Sequence, residues 1–323
     1  MRMTTRRDFL GGIASATTLA ATATNAMAAR DQGAAPKRKP GAGPFWPNGA
    51  RMAISISMQF EAGGEPDEGA DSPFSSSPLP KGIPDLPAKT WFQYGYREGV
   101  PRLLDLWDRH KVKVTSHMVG DAVRKNPGLA REIVERGHEA AAHGMTWQPQ
   151  YSLSRQDEKA FVAAGVAAVK EATGKTPVGY NCNWLRRSVN TLSVLQELGF
   201  LYHIDDVSRD EPFTVPVDGK PFVVVPYTLR CNDILLFENR HFSTADFLAQ
   251  LKDEFDQLYL ESASRRRMMS ISTHDRIGGT PAVVRALGEF LKYARGHEGI
   301  WFARKDEIAR WALESPDTIH ESA

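Results

Sequence analysis

The stretch "VKVTSHMVGDAVRKNPGLAREIVERGHEAAAHG", Val112 to Gly144, decides the reading of the fold. It opens with an extended pattern, "VKVTSHMVG", and then passes into "PGLAREIVERG", a short helix with Pro127 at its start and Gly137 just beyond its end. Proline fits a first helical turn because the N–H it lacks has no intrahelical partner there, and glycine suits the left-handed residue past a last turn. The chain then returns to an extended segment, "HEAAAHG". Strand, helix and strand within about thirty residues form a βαβ unit, whose strands run parallel.

The alternation continues in both directions. Upstream, Met52 to Phe60 alternates as a strand should and carries Ile54 and Ile56, and "GVPRLLDLWDRHK" has apolar residues at helical spacing. Downstream follow a helix over "RQDEKAFVAAGVAAVKEATG", a strand and loop at "PVGYNCNW", a helix from a Ser188 or Asn190 cap, and strands at "FLYHID" and "PFVVVPY". A long helix over "STADFLAQLKDEFDQLYLES", a strand at "RRMMSISTHD", a helix at "PAVVRALGEFLKYARG", a strand at "IWFAR" and a closing helix at "KDEIARWALE" complete the pattern. Seven to eight such units predict an α/β chain closed into a single distorted (β/α) barrel. Between Glu61 and about Pro87 the chain is Gly-, Pro-, Ser- and acid-rich without a period, which predicts a lid, an interface loop or an unstructured insertion.

Lys and Arg total 40 against 39 Asp and Glu, so the net charge of +1 gives no electrostatic footprint for nucleic acid or an anionic membrane. At the start, "TTRRDFLGG" sets Arg6 and Arg7 before an apolar run, and "AMA" at Ala26 to Ala28 fits a signal-peptidase site. Residues 1–28 therefore read as a twin-arginine signal peptide: the chain meets the twin-arginine export machinery, folds before export, and works in the periplasm or outside the cell without a stable membrane anchor. Residues 29–44 read as a flexible linker, 45–315 as the barrel and 316–323 as a C-terminal tail. Cys182 and Cys231, the only cysteines, either form a disulfide or stay buried as thiols.

Chemistry in such barrels gathers where strands end and loops begin. The polar residues there are Gln59, Glu61, His117, His143, Asn181, Asn183, Asp205, Asp206, Tyr227, His274 and Asp275. The motifs "SMQFEAGGE", "HGMTW" and "STHD" make the chain resemble the polysaccharide deacetylase superfamily, with its NodB-homology or carbohydrate esterase family 4 fold, from Trp46 to about Glu314. The resemblance implies a distorted barrel in which two acidic residues end the first strand, HxxxH completes a metal site and a late histidine is an acid. Here the base position falls on Gln59 and the first-strand ligand on Glu61. His143 holds the first histidine position, Trp147 replaces the second, and His274 is kept. That departure, with "VVVPYTLRCNDI" and the closing "ARW" helix, is similar to the metal-independent allantoinase and cyclic-amide hydrolase branch. This branch implies a homo-oligomer.

Indole nitrogen has no lone pair to offer and a Gln amide is a poor, neutral ligand, so no metal cofactor is expected. Were zinc or another divalent metal present, Glu61 and His143 would hold it. Without one, the expected catalytic set is Glu61 as base, its pKa raised by desolvation, His274 as acid and His143 as a donor to the substrate carbonyl. Trp147 is expected to floor a pocket for a flat ring. Gln59, His117, Asn183, Arg186, Tyr227, Asn232 and Asp275 are the further substrate-binding candidates, with Asp275 able to orient His274. The predicted function is an exported hydrolase of non-peptide carbon–nitrogen bonds in a cyclic imide, ureide or other small amide. The alternatives are a metal-dependent deacetylase of an N-acetylated polysaccharide or oligosaccharide, and a catalytically silent carbohydrate-binding barrel.

Overall fold

The first strand, β1 (Met52–Phe60), is buried along its whole length, as a strand covered on both faces must be. Its alternation divides the molecule: Met52, Ile54, Ile56, Met58 and Phe60 join the main apolar cluster beneath the helices, while Ser55, Ser57 and Gln59 point to the opposite face. This computed structural model describes residues 45–322 apart from 67–69, 71, 75, 76 and 78. The signal peptide and linker read at 1–28 and 29–44 lie outside the described residues.

After β1 come α1 (Leu86–Tyr94), α2 (Val100–Arg109), β2 (Thr115–Met118), α3 (Gly120–Lys125), α4 (Pro127–Glu135) and β3 (Glu139–Ala142). Next are α5 (Arg155–Thr173), β4 (Gly179–Tyr180), α6 (Thr191–Glu197), β5 (Tyr202–His203), β6 (Phe213–Val217) and β7 (Lys220–Val224). The chain ends with α7 (Thr244–Glu261), β8 (Arg267–His274), α8 (Asp275–Gly278), α9 (Pro281–Arg295), β9 (Ile300–Phe302), α10 (Lys305–Glu314) and β10 (Ile319–His320). The strand order is β10-β6-β7-β5-β4-β3-β2-β1-β8. One edge of β1 pairs with β8 from Met52 to Gln59; the other is shared, Met52–Ile54 with β9 and Ser57–Phe60 with β2.

The expected distorted (β/α) architecture is present, as a half-barrel. Every ladder among the described residues is parallel except β6–β7, and β8's outer edge, instead of a further strand, meets an isolated bridge, Asn232 to Ser272, and single contacts from Asp210, Thr228 and Asp233. Two strands depart from the sequence reading. β6 and β7 form a hairpin across Asp218 and Gly219, both with positive φ (46° and 75°), the geometry of a type I′ turn. Residues 316–323, read as a tail, carry β10, which pairs with β6 and is pinned by Arg209 Nη2 donating to Glu321 Oε1 at 2.7 Å. Both cysteines are free, buried thiols. No helix among the described residues is long and apolar enough to cross a membrane.

Candidate active site

At the C-terminal ends of the strands lies a cavity of about 180 Å³. Gln59, Glu61, His143, Trp147, Asn181, Tyr227, Asn232 and His274 line it, and Trp184, Leu185, Leu229, Ile234 and Leu235 supply apolar wall. Glu61 follows β1 directly, His143 follows β3 and His274 ends β8. The turn after His143 depends on Gly144, whose φ is +75° and where a Cβ would stand 2.4 Å from the Phe161 ring. Only glycine lets the chain leave β3 there and still pack on α5.

Glu61 is fully buried, and its two oxygens have different partners. Oε2 accepts from Arg276 Nη1 at 2.6 Å. Oε1 accepts no protein hydrogen bond and faces two imidazole nitrogens, His143 Nε2 at 3.5 Å and His274 Nε2 at 3.6 Å. Burial pushes the carboxyl up, but the charges of His274 and Arg276 and the His143 contact outweigh it and hold Glu61 well below the carboxylate range. The sequence expectation of a raised pKa is thus reversed, because Arg276 was not foreseen as its partner. The Arg276 guanidinium is itself packed against Trp91 and Phe92, 4.7 and 4.3 Å from the ring centroids.

Each histidine has its tautomer fixed from behind. His143 Nδ1 donates to the Asn181 carbonyl at 2.6 Å, so in the neutral ring Nε2 carries the lone pair. His274 Nδ1 donates to Asp233 Oδ1 at 2.5 Å, and the His274 backbone N–H donates to Asp233 Oδ2 at 2.7 Å. Burial would lower the His274 pKa, but Asp233 and Glu61 raise it above the ordinary histidine value. Asp233, and not Asp275, therefore orients His274. Asp275 is buried and outside the cavity lining; its Oδ2 accepts from the backbone N–H groups of Glu61 and Ala62, at 2.9 and 2.8 Å, and so fixes the strand exit that carries Glu61.

Trp147 lines the cavity with its ring 5.0 Å from that of His143, and Trp184 stands 6.4 Å beyond it. Trp184 and Leu185 hold positive φ of 53° and 59°, costly for such side chains, and both line the cavity. Tyr227 and Asn232 are where the sequence placed them, Asn232 Nδ2 donating to Tyr227 Oη at 2.6 Å. Three other candidates are not. His117 is fully buried below the site, stacked edge-on to His143 at 6.4 Å, and burial holds its pKa well down. Asn183 is a buried residue of a 3-10 turn and Arg186 is exposed; neither lines the cavity. Asp205 is also absent from the cavity lining; its Oδ1 accepts from Asn181 Nδ2 and the Cys182 N–H, both at 2.8 Å. His138 Nδ1 accepts the Val114 N–H at 3.1 Å, a structural role.

The donor set does not fit a tightly held divalent metal. One Glu61 oxygen already answers a guanidinium, Trp147 stands where a second imidazole would and offers no lone pair, and Gln59 brings only a neutral amide oxygen. Among the described residues no three His, Cys, Asp or Glu side chains group as metal ligands would.

Comparison with known proteins agrees with the fold. A family model described as polysaccharide deacetylase matches residues 88–203. A putative polysaccharide deacetylase of Schizosaccharomyces pombe is 30% identical over 302 residues, spanning 84% of this chain and 93% of the relative. The solved structure of a probable polysaccharide deacetylase from Pseudomonas aeruginosa PAO1 is 35% identical with a TM-score of 0.78, covering 85% of this chain and 95% of that one. That of a PuuE allantoinase is 34% identical with a TM-score of 0.80, covering 87% and 96%.

Proposed function

Because the chain belongs to the polysaccharide deacetylase family, we propose that it opens a small cyclic imide, ureide or related amide by metal-independent acid–base catalysis. It is a deacetylase-family hydrolase of carbon–nitrogen bonds other than peptide bonds. The observation that carries the finer reading is the Glu61–Arg276 pair, in which a guanidinium holds one carboxylate oxygen and balances its charge while the other faces the two imidazoles. The allantoinase likeness and a cavity of about 180 Å³, below the range of about 300 Å³ and more typical of drug-sized ligands, support a small ring.

In this mechanism His143 Nε2 takes a proton from water as the water oxygen bonds to the substrate carbonyl carbon. A carboxylate held as low as Glu61 is the weaker base near neutrality, so Glu61 serves as the counter-ion facing both imidazoles. The second Nδ2 hydrogen of Asn232 faces the developing oxyanion. The carbon–nitrogen bond then breaks, and the His274 imidazolium, held by Asp233, donates its Nε2 proton to the leaving nitrogen. One molecule results, bearing a carboxylic acid and, from an imide, an amide or, from a cyclic ureide, a ureido group. Trp147 and Trp184 hold the flat ring.

A specific observation favours a second reading, deacetylation of an N-acetylated sugar: Trp184 and Leu229 on the cavity wall are 40% and 42% exposed, a platform on which a longer glycan could rest. One experiment separates the two and also tests export. Mature protein recovered from the periplasmic fraction is assayed with and without chelator on cyclic imides, allantoin and N-acetylglucosamine oligomers, and its metal content is measured. Ring opening unchanged by chelator, with substoichiometric metal, supports the first reading. Stoichiometric metal with chelator-sensitive release of acetate replaces it with the second, and protein confined to the cytoplasm sinks the export reading.

A further inference from the structure

The orientation of one side chain amide indicates what the cavity reads in its substrate. Asp205 Oδ1, an acceptor, takes Asn181 Nδ2 at 2.8 Å, and the same Nδ2 donates to the Cys182 carbonyl at 3.0 Å. Asn181 must therefore turn Oδ1 away from Asp205, and that oxygen accepts from Gln59 Nε2 at 3.2 Å. Gln59 Nε2 also donates to Ser272 Oγ at 3.2 Å. Flipping Gln59 would oppose its oxygen to the Asn181 oxygen, so the chain Asp205–Asn181–Gln59 dictates which end of the Gln59 amide remains. What remains is Oε1, a buried acceptor without a protein partner, on a residue that lines the cavity and is 2% exposed. Glu61 Oε1 is a second unpartnered acceptor, and His143 Nε2 in the neutral ring is a third. Against these, His274 offers a donor.

We propose that Gln59 is a specificity-determining residue whose Oε1 accepts an N–H from the substrate, so that the cavity selects rings bearing a free N–H over their N-substituted counterparts. This rests on the ring-opening reading and narrows its substrate class to N–H imides and ureides. Leaving a buried acceptor without a donor costs enough to give roughly a 10- to 100-fold preference.

The test pairs glutarimide with N-methylglutarimide, and hydantoin with its N-methyl forms, in the wild type and in Gln59→Met. Both kcat/KM and equilibrium binding are measured, with thermal unfolding as a check on folding. The expected result is a 10- to 100-fold wild-type preference for N–H rings, reduced to about threefold or less by Gln59→Met. Mere steric exclusion of the methyl group would survive in Gln59→Met, so an unchanged ratio there overturns the proposal. Equal treatment of both rings by the wild type also overturns it while leaving the ring-opening reading intact. Binding that keeps the N–H preference without any turnover supports the Gln59 assignment and defeats the reaction assigned above. Binding of neither ring overturns both.

Discussion

The chemistry at Glu61 is decided by a residue 215 positions away from it in sequence, Arg276. A carboxylate buried alone rises in pKa and becomes a proton acceptor; one that meets a guanidinium at 2.6 Å stays ionised. That ionised Glu61 in turn works with Asp233 to keep His274 protonated above the ordinary histidine value. The direction of the pH effect follows. If the His274 imidazolium is the acid, kcat/KM is flat below its raised pKa and falls as pH rises through it. Asp233→Asn removes the largest raising influence, so the fall begins at lower pH, and kcat/KM at pH 8 drops by about 100-fold or more. A pH–rate profile of the variant whose alkaline limb coincides with that of the wild type rules this out. The same residues show what the sequence could disclose. Glu61, His143, Trp147 and His274 were legible because each follows a strand in a recognisable motif. Asp233 and Arg276 were not, since one opens a short helical segment that no motif marks and the other looks like any helix-start arginine until packing sets it on Glu61. Trp184 gave no signal either, because nothing in its neighbours announces a left-handed backbone.

Among the elements, the helices with strong caps were the most legible. α5 begins after Ser154 and ends at Gly174, and α7 begins with a reciprocal cap between Ser243 and Asp246, features that sequence alone can suggest. Short strands were the least legible. β4 and β5 have two residues each, and β6, with two prolines nearby, reads as loop until the Asp218–Gly219 turn is recognised as a hairpin signal. That turn supplies the sheet's antiparallel pair, and β10 then covers the β6 edge that would otherwise be open to pairing with another chain. The hairpin makes a clean prediction because a Cβ on Gly219 would meet no atom within 4 Å. Gly219→Ala therefore pays only for a left-handed backbone, about 1 kcal/mol of unfolding free energy, with kcat/KM unchanged. Urea unfolding followed by circular dichroism measures it, and a loss of activity would show that the hairpin reaches the site in a way its position does not suggest.

For the molecule as a whole, the half-barrel has an apolar outer layer and a polar inner face. Ser55, Ser57 and Gln59 of β1 lie beside Ser270, Ser272 and His274 of β8, and the face that ends in the cavity begins at a fully buried lysine. Lys305 Nζ donates to Ser55 Oγ at 3.0 Å and to Ser270 Oγ at 3.1 Å. Burial brings its pKa down to about 7, with Glu139 only partly opposing. Burial and Asp306 push Glu139 in the other direction, up to about 7. Their contributions to stability have opposite signs in adjoining windows. Between an unfolded lysine value of roughly 10.4 and the folded value near 7, the unfolded chain binds more protons, so the Lys305 contribution makes stability rise with pH there. Between an unfolded glutamate value of roughly 4.3 and the folded value near 7, the folded chain binds more protons, so the Glu139 contribution makes stability fall as pH rises. The two together place a minimum near neutrality. Lys305→Met removes the buried charge and should abolish the rise above pH 7 while leaving the fall below it, with a gain of at least about 1 kcal/mol near pH 7. Urea unfolding from pH 5.5 to 9.5 decides the matter. An identical slope above pH 7 in both proteins would mean that Lys305 titrates in the folded barrel as it does in the unfolded chain, and that the inner face is more hydrated than its packing indicates.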